Sequence, residues 1–326
     1  MAPHTDQGER VPNAIGDQTA PAVDVVIATR DRPELLWRAV AAVLSQRYPG
    51  HMSVIAVFDQ SAPEEALALD ETTEDGHRRA VRVTTNARTP GLAGARNTGI
   101  LEARSELVAF CDDDDLWLPG KLALQVALLA ANPEVELVTA GVLVDAQGRN
   151  TPRVLETDRI TYSQLLRSRV SEAHPSTYVA RREAVVDGIG LVDETIPGSY
   201  GEDYDWLLRA ARRTDVGAVP LPLVKVFWHR SSFFAERWQT IIDALDHILR
   251  AHPDIASDRP GLARIQGQQA FAYAALGDRR AAVDKAWHAL RSNRREPRAY
   301  LALATASGVI SPERILRILQ SFGRGV

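Results

Sequence analysis

Between residues 23 and 131 the chain alternates short apolar runs with helical stretches, and this alternation restricts the fold more than any other feature. Runs at 23–28, 52–58, 80–84 and 107–111 read as strands, while 33–47, 91–103 and 119–131 read as helices. Pro33 suits a first helical turn, and Leu36, Val40, Val43 and Leu44 recur on one face behind it. Strands separated by helices imply right-handed crossovers and a mostly parallel sheet covered on both faces. Such α/β sheets bind ligands beyond the carboxyl ends of their strands. Thr29 to Arg32, Asp59, Asn86 and Asp112 to Asp115 all fall at such ends, so separate segments should converge on one crevice.

The run Glu106-Leu-Val-Ala-Phe-Cys-Asp-Asp-Asp-Asp-Leu-Trp-Leu-Pro119 carries the fourth strand into four carboxylates and then back to apolar residues. Carboxylates with such flanks must neutralise, pair or coordinate a metal. If strand geometry continues into the acidic run, Asp112 and Asp114 project to one side and Asp113 to the other. That pattern predicts a two-pronged oxygen site for Mg²⁺ or Mn²⁺. Cys111, the single cysteine, reads as a buried strand residue; an internal disulfide is impossible, which fits a cytoplasmic location.

Residues 1–20 are polar and lack the apolar core of a signal peptide, which predicts a disordered tail. An α/β domain is expected over 21–230, with looser elements after Val135: strands at 136–144, 176–180, 216–219 and 223–228, and helices at 162–167 and 202–213. From residue 231 the pattern becomes helical, and 268–290 followed by Pro297 resembles one tetratricopeptide-like hairpin. No transmembrane segment is expected, although work at a membrane surface stays open. A formal net charge of −4 without an aromatic-rich basic stripe argues against nucleic acid as a partner.

Taken in order, Val26-Ile-Ala-Thr-Arg-Asp-Arg-Pro33, Asp59, Gly91-Leu-Ala-Gly-Ala-Arg-Asn-Thr-Gly99, Phe110-Cys-Asp-Asp-Asp-Asp-Leu-Trp-Leu-Pro-Gly-Lys-Leu122 and Gly201-Glu-Asp-Tyr-Asp-Trp206 resemble family 2 glycosyltransferases. The resemblance covers about 23–230 and implies a GT-A, Rossmann-like nucleotide-diphospho-sugar fold, a divalent metal (Mg²⁺ or Mn²⁺) and inverting sugar transfer. It implies Asp112 and Asp114 as metal ligands within an Asp-X-Asp motif, with Asp112 and Asp113 also near the ribose-diphosphate, and His229 as a further metal ligand; the register within Asp112 to Asp115 stays open, Asp113 with Asp115 being the less favoured pair. For the donor nucleotide it implies Thr29, Arg30, Asp59, Arg96 and Asn97. More typical members carry an aromatic residue and Asn where this chain has Arg30 and Asp31. On the acceptor side it implies Asp203 as general base, with Glu202 orienting the base or the sugar. His174, in His174-Pro-Ser-Thr177, is a weaker candidate for the acceptor side.

The expected partners are a nucleotide-diphospho-sugar donor and a hydroxyl acceptor on a glycan, a lipid-linked glycan or a natural product. Two other readings fit a nucleotide crevice with carboxylates. One is a sugar-nucleotide nucleotidyltransferase, disfavoured because Glu202-Asp203 suits an acceptor base. The other is an inactive sugar-nucleotide fold that binds protein partners through its helical tail, against which Asp112, Asp114 and Asp203 are all intact.

Overall fold

A computed structural model describes residues 20–228 and 237–321. The chain runs β1 (Val23–Thr29), α1 (Pro33–Leu44), β2 (Met52–Phe58), β3 (Leu69–Thr72), β4 (Arg78–Thr85), α2 (Leu92–Glu102), β5 (Leu107–Phe110), β6 (Leu116–Trp117) and α3 (Lys121–Ala131). It continues through β7 (Leu137–Ala146), β8 (Arg149–Arg153), β9 (Arg159–Ile160), α4 (Tyr162–Arg167), β10 (Val179–Arg181), α5 (Arg182–Ala184), α6 (Glu202–Arg213) and β11 (Val216–Phe227). Helices α7 (Trp238–Ala251), α8 (Arg259–Ala275), α9 (Arg279–Ser292), α10 (Pro297–Ala306) and α11 (Pro312–Ser321) complete it.

All strands join one sheet in the order β3-β4-β2-β1-β5-β10-β7-β11-β6, with β8 on β7 and β9 on β11. Strands β4, β2, β1 and β5 are parallel, and the register pairs Thr29 with Phe58 and Phe58 with Thr85. Their carboxyl ends, followed by Asp59, Asn86 and the acidic run, therefore open on one side. β10 is antiparallel to both neighbours, β5 and β7.

Period-two alternation divides the strands between two cores. Val23, Val25 and Ile27 of β1, with Met52, Val54 and Ala56 of β2, pack with Leu36, Val40 and Val43 of α1 and Leu122, Val126 and Leu129 of α3. Val26, Ile55, Val57, Val108 and Phe110 face the other way, toward Ala95 and Ile100 of α2 and Trp206 and Leu207 of α6. That second core also takes Ile241, Leu245 and Ile248 of α7 and Ile265 of α8. The helical region thus shares its first two helices with the core beneath α6, whereas α8 to α11 build a separate small core around Phe271, Ala286, Ala302 and Ile315. The tetratricopeptide-like hairpin is α8 and α9, turned by Gly277 at φ +84°. No described helix is long and apolar enough to cross a membrane.

Four expectations change in detail. In place of the two strands expected at 216–219 and 223–228, residues 216–227 form one strand, β11, with register shifts around Pro222. The expected strand at 176–180 begins only at Val179, because Pro175–Thr177 forms a 3-10 turn. β5 ends at Phe110, so the acidic run lies beyond the strand and turns at Asp113 and Asp114. Short strands β3, β6, β8 and β9 add to the elements expected from the sequence.

Candidate active site

The turn after β5 undoes the alternation expected for Asp112 to Asp115. Thr29 Oγ1 donates to Asp113 Oδ2 at 2.7 Å, joining the end of β1 to the acidic turn. Arg32 Nη1 reaches Asp114 Oδ2 at 2.9 Å and Asp113 Oδ1 at 3.2 Å. Asp114 is thereby turned toward α1. Asp112 and Asp115 instead gather with His174, and one ligand atom from each lies within 4.8 Å of the others. Asp112 and Asp115 are thus three residues apart, because a turn rather than a strand presents the carboxylates.

Ser176 fixes this cluster. Its Oγ accepts from Asp112 N at 2.9 Å and donates to Asp115 Oδ2 at 2.5 Å. The segment carrying it is held in turn, because Trp117 Nε1 donates to Ser176 O at 2.9 Å and Gln125 Nε2 to Thr177 O at 2.6 Å. Burial, then the like charges of Asp112 and Asp114, push the Asp115 carboxyl well above the usual carboxylate range. Burial also lowers His174, against the pull of Asp112 and Asp203, leaving a neutral imidazole. Asp112, held ionised against burial by Arg96, and the costly Asp115 carboxyl stand beside the His174 imidazole, an oxygen and nitrogen donor set suited to Mg²⁺ or Mn²⁺, so these residues fit a divalent cation.

Arg96 of α2 links the acidic turn to α6. The buried guanidinium donates from Nη2 to Asp112 Oδ1 at 2.5 Å and from Nη1 to Glu202 Oε1. Burial opposes its charge, and Asp112 and Glu202 more than offset that cost, so its affinity for the proton rises. Burial raises Glu202 to about 7 despite Arg96, with Asp203 adding to the rise. The neighbouring Asp203 goes the other way: burial opposes its charge, but Arg169 outweighs it and holds the carboxyl below its usual range. Arg169 Nη2 lies 2.6 and 2.9 Å from the two oxygens of Asp203. Gly201, at φ +81°, precedes both acids and lets α6 begin sharply at the cavity lined by Arg96, Phe110, Glu202, Asp203 and Trp206. Trp206 stays in the core, its Nε1 donating to Gly190 O at 2.8 Å.

The remaining candidates divide. Asp59 accepts from Asn86 Nδ2 at 2.8 Å, from Gly91 N at 3.0 Å and from Gln60 Nε2 at 2.9 Å. Those bonds outweigh burial and keep it ionised at the strand end. Arg30 is exposed and lies 3.8 Å from Asp31. Asn97 is committed to the loop before α6: it donates to Val192 O at 2.8 Å and Glu194 Oε1 at 2.7 Å, and accepts from Val192 N at 2.8 Å. With its amide so occupied, Asn97 holds that loop rather than offering free donors to a ligand. His229 lies outside the described residues. Arg169, whose segment carries no motif, escaped sequence reasoning as part of this site, while Asp115 was expected at the crevice but ranked behind Asp112 and Asp114 for want of the turn geometry.

Comparison with known proteins agrees with the fold. Residues 24–187, half of the chain, match the model of glycosyl transferase family 2. The chain is 21% identical over 197 residues to a UDP-Glc:alpha-D-GlcNAc-diphosphoundecaprenol beta-1,3-glucosyltransferase, WfgD, of Escherichia coli, a match spanning 60% of this chain and 72% of that protein. Over 128 residues it is 27% identical to a GalNAc(5)-diNAcBac-PP-undecaprenol beta-1,3-glucosyltransferase of Campylobacter jejuni, covering 39% of this chain and 40% of the other. In structure it resembles S. aureus TarS 1-349 in complex with UDP-GlcNAc, at a TM-score of 0.57 and 15% identity over 93% of this chain and 92% of that one. A mannosyltransferase of Pyrobaculum calidifontis, in complex with GDP-Man and Mn²⁺, gives 0.51 and 21% over 96% and 87%. Such neighbours carry the GT-A fold. By its motifs, its sheet and the match across half its length, the chain belongs to glycosyl transferase family 2.

Proposed function

We propose that this glycosyltransferase catalyses metal-dependent, inverting transfer of a sugar from a nucleotide-diphospho-sugar to a hydroxyl of a lipid-linked glycan. The observation that carries the reading is Arg96, which ties Asp112 of the acidic turn to Glu202 beside Asp203. One buried cation thus couples a donor end to an acceptor end. Lipid-linked acceptors are named for the two bacterial relatives above, and a nucleotide-sugar donor for one of them and for both solved neighbours.

Asp112, Asp115 and His174 would hold Mg²⁺ or Mn²⁺, whose chemistry there is to offset charge on the departing diphosphate. Thr29, Asp59 and Asp113 border the strand ends where the nucleoside would lie. On the opposite side Asp203 accepts the proton of the acceptor hydroxyl as its oxygen bonds to the anomeric carbon. The bond from that carbon to the diphosphate oxygen breaks, and the nucleoside diphosphate leaves with the electron pair. Attack opposite the leaving group inverts the anomeric centre. Both Asp203 oxygens face Arg169, so Arg169 must yield for the hydroxyl to reach the base.

Asp203→Asn should bind a nucleotide diphosphate as the parent does while transfer falls about 10²- to 10⁴-fold, the usual worth of a positioned base. Calorimetric titration with nucleotide and turnover assays read the two effects separately. Transfer at the parent rate would remove Asp203 from the role.

A further inference from the structure

The last part of the chain differs in charge from everything before it. Residues 276–326 hold ten Lys and Arg against four Asp and Glu, whereas residues 1–275 hold 28 against 38. Much of this excess sits around one helix. Arg279, Arg280 and Arg291 of α9, with Arg294 and Arg295 in the turn to α10, are exposed, and no ion pair neutralises them among the described residues.

Apolar side chains stand between these cations. Arg280, Val283, Trp287 and Arg291 are spaced by three, four and four residues, which aligns them along one face of α9. The opposite face, Ala282, Ala286 and Ala289, is buried against its neighbours. Trp287 is 58% exposed, and Tyr300 of α10 is 53% exposed. A tryptophan flanked by unpaired guanidinium groups on an outward helix face marks an interaction surface rather than a solvated one.

We propose that the outward face of α9 and the turn into α10 dock on an anionic lipid surface. The partner rests on the reading of the acceptor as lipid-linked, but the surface is legible without it. Trp287 and Val283 would enter the boundary between headgroups and acyl chains while Arg280, Arg291, Arg294 and Arg295 meet lipid phosphates. An acidic protein would satisfy the cations but gives no reason for an exposed tryptophan at their centre. The face is also mechanically tied to the proposed acceptor side. The α9 hairpin partner, α8, sends Arg264 Nη2 to the Tyr204 hydroxyl of α6 at 2.9 Å, one residue beyond Asp203.

Co-sedimentation of the full chain with vesicles tests this, using phosphatidylcholine alone and phosphatidylcholine mixed with phosphatidylglycerol. The chain should bind the mixed vesicles, release them as salt rises and ignore the neutral ones. Arg280→Glu with Arg291→Glu, and separately Trp287→Ser, should each weaken binding about tenfold. These surface variants should keep the parent's hydrolysis of nucleotide sugar in solution, which shows that they fold. Failure to bind the mixed vesicles overturns the proposal, as does equal binding to both kinds or binding that the variants retain. Self-association that Trp287→Ser abolishes, without vesicle binding, makes the face a contact between copies and also overturns it. Vesicle binding by a parent that turns over no nucleotide sugar upholds the surface and strikes only the enzymatic reading.

Discussion

At the scale of single residues the proposed catalysis turns on Asp203 and Arg169. Arg169 holds the Asp203 carboxyl below its usual range, so Asp203 as the proposed base would be ready at low pH but weak. Arg169→Met removes the cation that depresses it, and the acid limb of the transfer rate should then move to higher pH. A pH–rate profile reads this, and a limb that stays in place would deny the coupling. The acidic turn gives a second prediction. Asp115→Ala should weaken Mn²⁺ binding about ten- to a hundredfold, while Asp114→Ala, whose carboxylate faces Arg32, should cost clearly less. Titration followed by electron paramagnetic resonance compares them, and the reverse order would restore Asp114 as the ligand. Asp112, Asp203 and Thr29 enter the candidate site from motif order alone. Asp115 ranked behind Asp114 there, because period-two projection holds only while a strand lasts, and this strand stops at Phe110.

The glycine-rich helix α2 shows what the elements contribute. A Cβ on Gly94 would lie 1.9 Å from the carbonyl oxygen of Thr89, and one on Gly99 would lie 2.3 Å from Val26 Cγ1. These two absences of a side chain let α2 press on the preceding loop and on β1, which brings Arg96 under the acidic turn. Gly94→Ala should therefore cost about 1–3 kcal/mol or more, since the obstacle is backbone, and urea unfolding measures it. A midpoint equal to the parent's would refute that close approach. The parallel strands and their helices were readable because buried strands here are continuous apolar runs, as β1 and β2 show. β3 and β8 were not, since Leu-Asp-Glu-Thr and Arg-Asn-Thr-Pro-Arg are largely exposed segments stabilised by their partner strands rather than by apolar pattern. The split expected within β11 came from Pro220-Leu-Pro222, which bends the strand without ending it.

Over the whole molecule, the parallel strands of a mixed sheet gather the proposed donor-binding residues at their carboxyl ends, and α6, carried on a shared core with α7 and α8, brings the proposed base to that edge. The division expected at residue 230 does not coincide with a break in packing, because Ile241, Leu245 and Ile248 lie in the same core as Trp206 and Leu207. The helical region thus supports α6 and the proposed acceptor side from beneath while offering the outward face of α9. What this arrangement has to do, if the account holds, is turn over a nucleotide-diphospho-sugar. The most direct test is turnover of a panel of such donors by the full chain, with Mn²⁺ and then with a chelator. The account predicts release of nucleoside diphosphate from at least one donor, lost on chelation and lost again in Asp203→Asn. No binding and no turnover for any donor would contradict it.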